Sequence, residues 1–199
     1  MTMKTFYVCS YGGCGSKMLC SVLKQFGNVK HIHSRNPPNE LEYIGLENGG
    51  NSYCEWFNGI KIPENEIENY YVIYIYRNPI NAILSRFYMT EHLKHIETDT
   101  NITFEDIINK SSDLYGIKEF YNNYTRTDIK RNYKIYCIKY EDLFDKQDKI
   151  SEILEIGKLN LKKKETIINH RMRKYFKYLY KIYKDIINIM INNNFIIIS

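Results

Sequence analysis

Two segments of this chain combine residue types and spacings suited to holding a phosphate- or sulfate-like anion. The first is Ser10-Tyr11-Gly12-Gly13-Cys14-Gly15-Ser16-Lys17, followed by Met18. Glycines let successive backbone N–H groups converge with no Cβ in the way, and a helix starting there adds the partial positive charge of its N-terminus. Ser16 can donate a hydroxyl hydrogen bond and Lys17 can supply a full charge; the same glycines would also serve a tight strand-to-helix turn. The second segment is Arg77-Asn78-Pro79 with Ser85. Ser85 lies seven residues after Asn78, close to two helical turns, so it returns to the same helix face. A strand-end arginine, with its fork of donors, and a helix-face serine can converge on one phosphate. Read singly, Asn78-Pro79 is a helix start and Ser85 an ordinary helix residue.

These groups need elements to position them. Thr5–Ser10 is a short apolar run leading into the glycines. After them Met18, Leu19, Val22, Leu23 and Phe26 recur at helical spacing until Gly27. Asn28–His33 reads as a second strand ending in the turn-prone stretch 34–38. Residues 39–58 read as an irregular excursion, with a short strand over Phe57–Ile62 closed by Pro63. Tyr70–Tyr76 (YYVIYIY) is the strongest strand signal, an unbroken run expected to be buried on both faces. Asn78 then reads as an N-cap with Pro79 at the first helical position. Residues 93–103 read as loop, Phe104–Tyr124 as one helix, Tyr133–Lys139 as a strand, and the surroundings of Ile150, Ile153 and Leu154 as a helix ending near Gly157. Alternation of strands and helices predicts a doubly wound, mainly parallel α/β sheet flanked by helices. One domain is expected over 1–199: an α/β core over 1–157, then a basic linker and C-terminal helices over 158–199.

Composition narrows the partners. A net charge of +5, from 28 basic and 23 acidic side chains, suits an anionic ligand and is too small to indicate nucleic acid. The five cysteines form no CxxC pair, so neither a disulfide framework nor a zinc site is indicated, and Cys9, Cys20 and Cys137 read as reduced core residues. Met1–Val8 has no signal-peptide apolar stretch, and the late apolar segments are broken by Lys, Asp and Asn. The expectation is a soluble cytoplasmic protein with no membrane contact. The Walker pattern GxxxxGK[ST] is not met, since Met18 stands where Ser or Thr would ligate magnesium, and no apolar strand ends in the completing Asp.

YRNPINAILSRFY (76–88) resembles the segment with which sulfotransferases dependent on 3′-phosphoadenosine-5′-phosphosulfate (PAPS) hold the donor's 3′-phosphate: Arg-Asn-Pro, with a Ser eight residues after the Arg. CSYGGCGSKMLCSVL (9–23) resembles that family's 5′-phosphosulfate loop, and YCIKYEDLFDKQDKISEILE (136–155) its late strand, Tyr-Glu-Asp-Leu and helix. Lys61-Ile62-Pro63 resembles the place where cytosolic members carry His-Leu-Pro. The resemblance covers most of residues 5–157 and implies a P-loop-like fold. It further implies PAPS as donor, 3′,5′-diphosphoadenosine (PAP) as product, no required metal, and a small-molecule or carbohydrate hydroxyl as acceptor. It assigns donor binding to Gly12, Gly13, Cys14, Gly15, Ser16, Lys17, Met18, Arg77 and Ser85. Arg171 and Arg173, with Lys174, are the nearest counterparts of the family's late Arg-Lys-Gly.

The chain departs from the pattern at several positions. Gly13 replaces the usual loop lysine, Met18 an aromatic near the adenine, Asn81 an aspartate, and Lys61 the expected catalytic histidine. Sulfuryl transfer needs cations for the leaving oxygen, for which Lys17 and Lys61 are candidates, and a base for the acceptor's proton. His33 and His31, on one face at the end of the second strand, are candidates for that base, and equally read as ordinary strand-end histidines. Glu40 and Glu55 are weaker candidates, Arg35 is a candidate for holding an anionic acceptor, and His92 and His95 read as a solvated helix end or acceptor-side loop. Two alternatives stand beside this reading: a catalytically inactive nucleotide-binding protein of the same fold, and a small P-loop kinase or NTPase.

Overall fold

The structure is a computed structural model that describes residues 3–44, 59–87, 89–163, 170–193 and 195–198. Its centre is a sheet of four parallel strands, β1 (Thr5–Cys9), β2 (Asn28–Ile32), β3 (Tyr70–Tyr76) and β4 (Ile135–Lys139), plus an antiparallel β5 (Ile196–Ile198), in the order β2-β1-β3-β4-β5. β3 sits centrally, with Val72, Ile73, Tyr74, Ile75 and Tyr76 all fully buried, as its unbroken apolar run requires. Thr5 pairs with both Asn28 and Tyr70, so β1, β2 and β3 run in step, β1 and β2 ending together and β3 running two residues further, to Tyr76.

Chain direction reverses between β1 and β3: the chain moves from β1 to β2 on one side, then crosses to β3 on the other. In open parallel sheets that switch point is where ligands bind, outside the carboxyl ends of the strands. The loop after β1 and Arg77 after β3 flank it.

The helices begin where their signals lie, though the first stops at Leu23 and does not reach Gly27. α1 (Ser16–Leu23) buries Leu19, Cys20 and Leu23. α2 (Pro79–Arg86) starts at Asn78, whose side chain accepts from the N–H groups of Ile80 at 3.0 Å and Asn81 at 3.4 Å. α3 (Phe104–Lys110) carries a reciprocal cap between Thr103 and Asp106. α4 (Ile117–Thr125) lays Phe120, Tyr121 and Tyr124 against the sheet, Tyr124 stacking on Tyr74 with ring centroids 4.4 Å apart. α5 (Gln147–Ile153) follows β4, and α6 (Phe176–Asn192) packs on α2 through a buried stripe that includes Leu179, Tyr183 and Ile186.

Three expectations need correction. The single helix over 104–124 is two, because Ser111 (φ 48°) ends α3 and Gly116 (φ 64°) starts α4. A Cβ on Gly116 would stand 1.7 Å from Arg35 Nη1, so the break is where a buried arginine passes. Residues 90–96 form a 3₁₀ turn that buries Leu93 and Ile96, where loop was expected from residue 93. The chain ends in β5, which pairs Ile196–Ile198 with Ile138, Cys137 and Tyr136 on the edge of β4. Of the expected strand at 57–62, residues 57 and 58 lie outside the described residues, and Lys61 makes an isolated antiparallel bridge to Glu42.

Candidate functional site

The loop after β1 holds three left-handed glycines, Gly12 (φ 91°), Gly13 (φ 66°) and Gly15 (φ 80°). Two of them are also pressed by neighbours. A Cβ on Gly13 would lie 2.9 Å from the carbonyl oxygen of Ala82 and 3.1 Å from Ser85 Oγ, and one on Gly15 would lie 2.6 Å from the Tyr140 ring. The loop is therefore clasped between α2 and Tyr140, and both contacts demand glycine whatever the backbone angles. Inside it, Ser10 Oγ accepts from Gly12 N at 3.2 Å and donates to Ser16 Oγ at 2.9 Å. Cys14 is buried, with its thiol 3.0 Å from the Gly12 carbonyl, and burial raises its pKa far above the ordinary thiol range.

Arg77 leaves β3 at the same edge. Its peptide is held by buried Tyr11, whose hydroxyl accepts from Arg77 N at 3.0 Å and donates to the Arg77 carbonyl. The side chain, only 9 % exposed, reaches across the switch point, Nη1 donating to the Gly13 carbonyl at 3.2 Å. Its guanidinium lies over the Tyr140 ring, 4.6 Å from the centroid. Ser85 Oγ faces Gly13 and donates to Ala82 O at 3.0 Å, a bond that a rotation about χ1 would exchange for an anion. The structure thus brings Arg77, Ser85 and the glycine loop together, as their spacing predicted.

The histidines lie beside this cradle. His33 Nδ1 is 2.6 Å from the Ser10 carbonyl oxygen, which can only accept, so Nδ1 carries the proton and the neutral ring's lone pair is on Nε2. His31 Nε2 meets Ser16 Oγ at 2.8 Å. The rings of His31 and His33 are 4.4 Å apart between centroids, and His95, from the 3₁₀ turn, stacks on His33 at 5.9 Å. Burial, with His31 next in weight, pushes the His33 pKa from 6.5 down to about 3, and burial plus the charge of Arg86 lowers that of His95 to about 4. Among the described residues no group of three or more His, Cys, Asp or Glu has the arrangement of a metal site.

A depressed histidine pKa makes the fold sensitive to acid. His33 is neutral in both states above pH 6.5; between there and about pH 3 the unfolded chain takes up the proton that the folded chain resists. Stability then falls as pH falls, by about 1.4 kcal/mol per unit from this group, or about 2 kcal/mol between pH 6.5 and pH 5. Denaturant midpoints near pH 7 and near pH 5 should show this loss, and His33→Asn should remove its share of the slope while that of His95 remains.

The remaining sequence candidates divide between the loop's far end and sites elsewhere. Lys17 is exposed at the start of α1, and half-buried Met18 packs against the core. Lys61 is 69 % exposed and ion-paired with Glu40, which raises its pKa, so both charges are engaged in a surface pair. Arg173 is exposed on the turn His170–Tyr175 leading into α6; the side chain of Arg171 and the whole of Glu55 lie outside the described residues.

Arg35, expected to meet an anionic acceptor, is instead a buried clamp. Its Nη1 donates to Gly116 O at 2.9 Å and Glu119 Oε2 at 3.0 Å, and its Nη2 to Ile96 O at 2.6 Å and Thr98 Oγ1 at 3.0 Å. It ties the end of β2 to α4 and the 3₁₀ turn. Arg35→Ala should lower stability by roughly 2–4 kcal/mol, since several buried acceptors lose a charged donor; equilibrium denaturation checks it.

Sequence reasoning missed Tyr140 and Arg86 as neighbours of the loop, and gave Ser10 and Tyr11, named within it, no role of their own. Tyr140 stood in a quoted motif, but its ring position over Gly15 and Arg77 depends on β4 lying beside β3.

A strand–glycine loop–helix unit and a strand-end arginine, both at the switch point of a parallel sheet, define a P-loop-like α/β protein. The family model described as Sulfotransferase domain matches residues 4–183, from just before β1 into α6, and the chain belongs to the sulfotransferase family. No curated protein and no solved structure gives a significant match. Among the described residues no helix is long and apolar enough to cross a membrane.

Proposed function

We propose that this chain, as a soluble cytoplasmic enzyme, moves the sulfuryl group of PAPS to a hydroxyl of a small molecule or carbohydrate and releases PAP. One observation carries the reading: two anion-binding elements abut at Gly13, where Arg77 Nη1 lies 3.2 Å from its carbonyl and Ser85 Oγ 3.1 Å from the place a Cβ would take. A generic phosphate loop needs no such partner, whereas a nucleotide with both 5′ and 3′ anions needs two cradles side by side. The residues present fit that ligand, because glycines leave open backbone at the loop and a nearly buried guanidinium waits beside it.

PAPS supplies an activated sulfuryl group on a phosphate leaving group. The loop amides, Ser16 and Lys17 hold its 5′ end, and Arg77 with Ser85 holds its 3′-phosphate. His33 Nε2 takes the acceptor's proton as the acceptor oxygen bonds to sulfur; the electron pair of the broken S–O bond stays on the 5′-phosphate of PAP. His31, bonded to Ser16, orients that hydroxyl.

Calorimetry with PAP and with ATP, each with and without magnesium, tests the donor class. PAP should bind at least about tenfold tighter than ATP, independently of magnesium, because one charge-assisted bond to the 3′-phosphate is worth that much. Tighter, magnesium-dependent ATP binding would overturn the reading in favour of an NTPase. PAP binding without label transfer from ³⁵S-labelled PAPS to a broad hydroxyl panel would favour the inactive alternative.

A further inference from the structure

The start of the loop has no cation of its own. Lys17, at its far end, is exposed on α1. Gly13 cannot carry a side chain, because α2 occupies the space: a Cβ there would press on Ala82 O at 2.9 Å and Ser85 Oγ at 3.1 Å. Arg77 is turned the other way, onto the Gly13 carbonyl and the Tyr140 ring. Yet a sulfuryl group emerging toward His33 must pass the Gly12 end, since His33 is bonded to Ser10 and Ser10 to Gly12 N. Among the described residues named so far, charge building on the leaving oxygen would there meet neutral imidazoles and loop amides.

Arg86 stands at that point. It is the residue after Ser85, at the last position of α2, and is half-buried. Its Cγ lies 3.9 Å from where a Cβ on Gly12 would be, so its stem runs along the opening of the loop. Its charge is among the causes that depress His33, His92 and His95, which places the guanidinium on the histidine side of the loop. Helix geometry explains the division of labour. Ser85 and Arg86 are about 100° apart around α2, so one faces Gly13 and the 3′ cradle while the next turns to Gly12 and the histidines.

We propose that Arg86 is a catalytic residue of the sulfuryl transfer: the cation that binds the 5′-phosphosulfate at the Gly12 end of the loop and neutralises charge on the oxygen that leaves sulfur. The assignment rests on the PAPS-dependent reading above. It gives α2 two adjacent residues with different duties, Ser85 for the 3′-phosphate and Arg86 for the reacting end. A planar guanidinium suits the second, since it can bridge a sulfuryl oxygen and the bridging oxygen at once.

Calorimetry on the full chain separates these duties without an acceptor. The probes are PAP, which carries both phosphates, and adenosine 3′-monophosphate, which lacks the 5′ group. Arg86→Ala should weaken PAP about tenfold to a hundredfold while leaving adenosine 3′-monophosphate within about twofold, the loss expected for one charged donor at the 5′ end. Arg86→Lys should recover part of the PAP affinity and Arg86→Gln none. If Arg86→Ala does not fold, the Lys and Gln variants decide the same question. An unchanged ratio of the two affinities would overturn the assignment and place Arg86 outside the donor site, whatever the fate of the wider reading. If the wild-type chain binds neither probe, the PAPS reading itself fails. With an acceptor in hand, turnover of Arg86→Ala should fall about a hundredfold or more.

Discussion

Arg77→Ala is expected to weaken PAP binding by at least about a hundredfold. A guanidinium that reaches a phosphate through two parallel bonds contributes about 1.5–3 kcal/mol per bond, and tenfold in affinity is about 1.4 kcal/mol. The side chain donates to the Gly13 carbonyl and stacks on Tyr140. Its backbone is held separately by Tyr11, through both the N–H and the carbonyl of Arg77, so removing the side chain leaves the strand end in place. Calorimetry with adenosine 3′-monophosphate and adenosine 5′-monophosphate locates the loss, which should fall on the first and spare the second. Arg77→Lys should recover only part, because a point charge cannot form the fork. Retention of PAP affinity within about twofold would remove Arg77 from the donor site.

His33→Asn is expected to lower kcat by about 10²–10⁴, the usual span for loss of a positioned proton acceptor, while PAP affinity changes less than about threefold. The structure supports the role through the tautomer. The Ser10 carbonyl fixes the proton on Nδ1, and the lone pair that could take a proton is on Nε2. Burial keeps the ring neutral, with a pKa of about 3, so the base is in its competent form throughout the neutral range. A base that weak would be poor in the empty protein; the anionic donor beside it favours the imidazolium and raises its proton affinity when the reaction needs it. The pH dependence follows. The acid limb of kcat/KM, which reports the free enzyme, should lie well below the pH 6.5 of an ordinary histidine. A limb centred near that ordinary value, or full turnover by His33→Asn, would assign the proton to another group.

The most informative residues in the sequence were those whose role depends on local chain geometry. Glycine spacing after an apolar run, Asn78-Pro79 before a helix, and seven residues between Asn78 and Ser85 are short-range facts, and each element formed where those facts placed it. The unbroken run of β3 likewise told of burial on both faces before any neighbour was known. The juxtaposition of the glycine loop with Arg77 and Ser85 was therefore legible, because each half of it comes from a contiguous stretch of residues.

What lay beyond sequence reading was set by contacts between distant segments. Lys61, chosen for its place before β3, pairs with Glu40 on the surface, while His33 and His31 stand beside the loop because β2 lies next to β1. Arg35 had the charge for an acceptor site, yet α4 and the 3₁₀ turn close around it, and Gly116 breaks a helix to let it pass. Arg86 and Tyr140 gain their positions only when α2 and β4 dock at the switch point. The glycine loop, the strand-end arginine and the alternation that builds a parallel sheet were all readable from residue order, since they arise from local spacing and burial periodicity. Which histidines stand beside the loop, which arginines meet it and which one is buried as a clamp came from strand order and from which helix turns toward the loop.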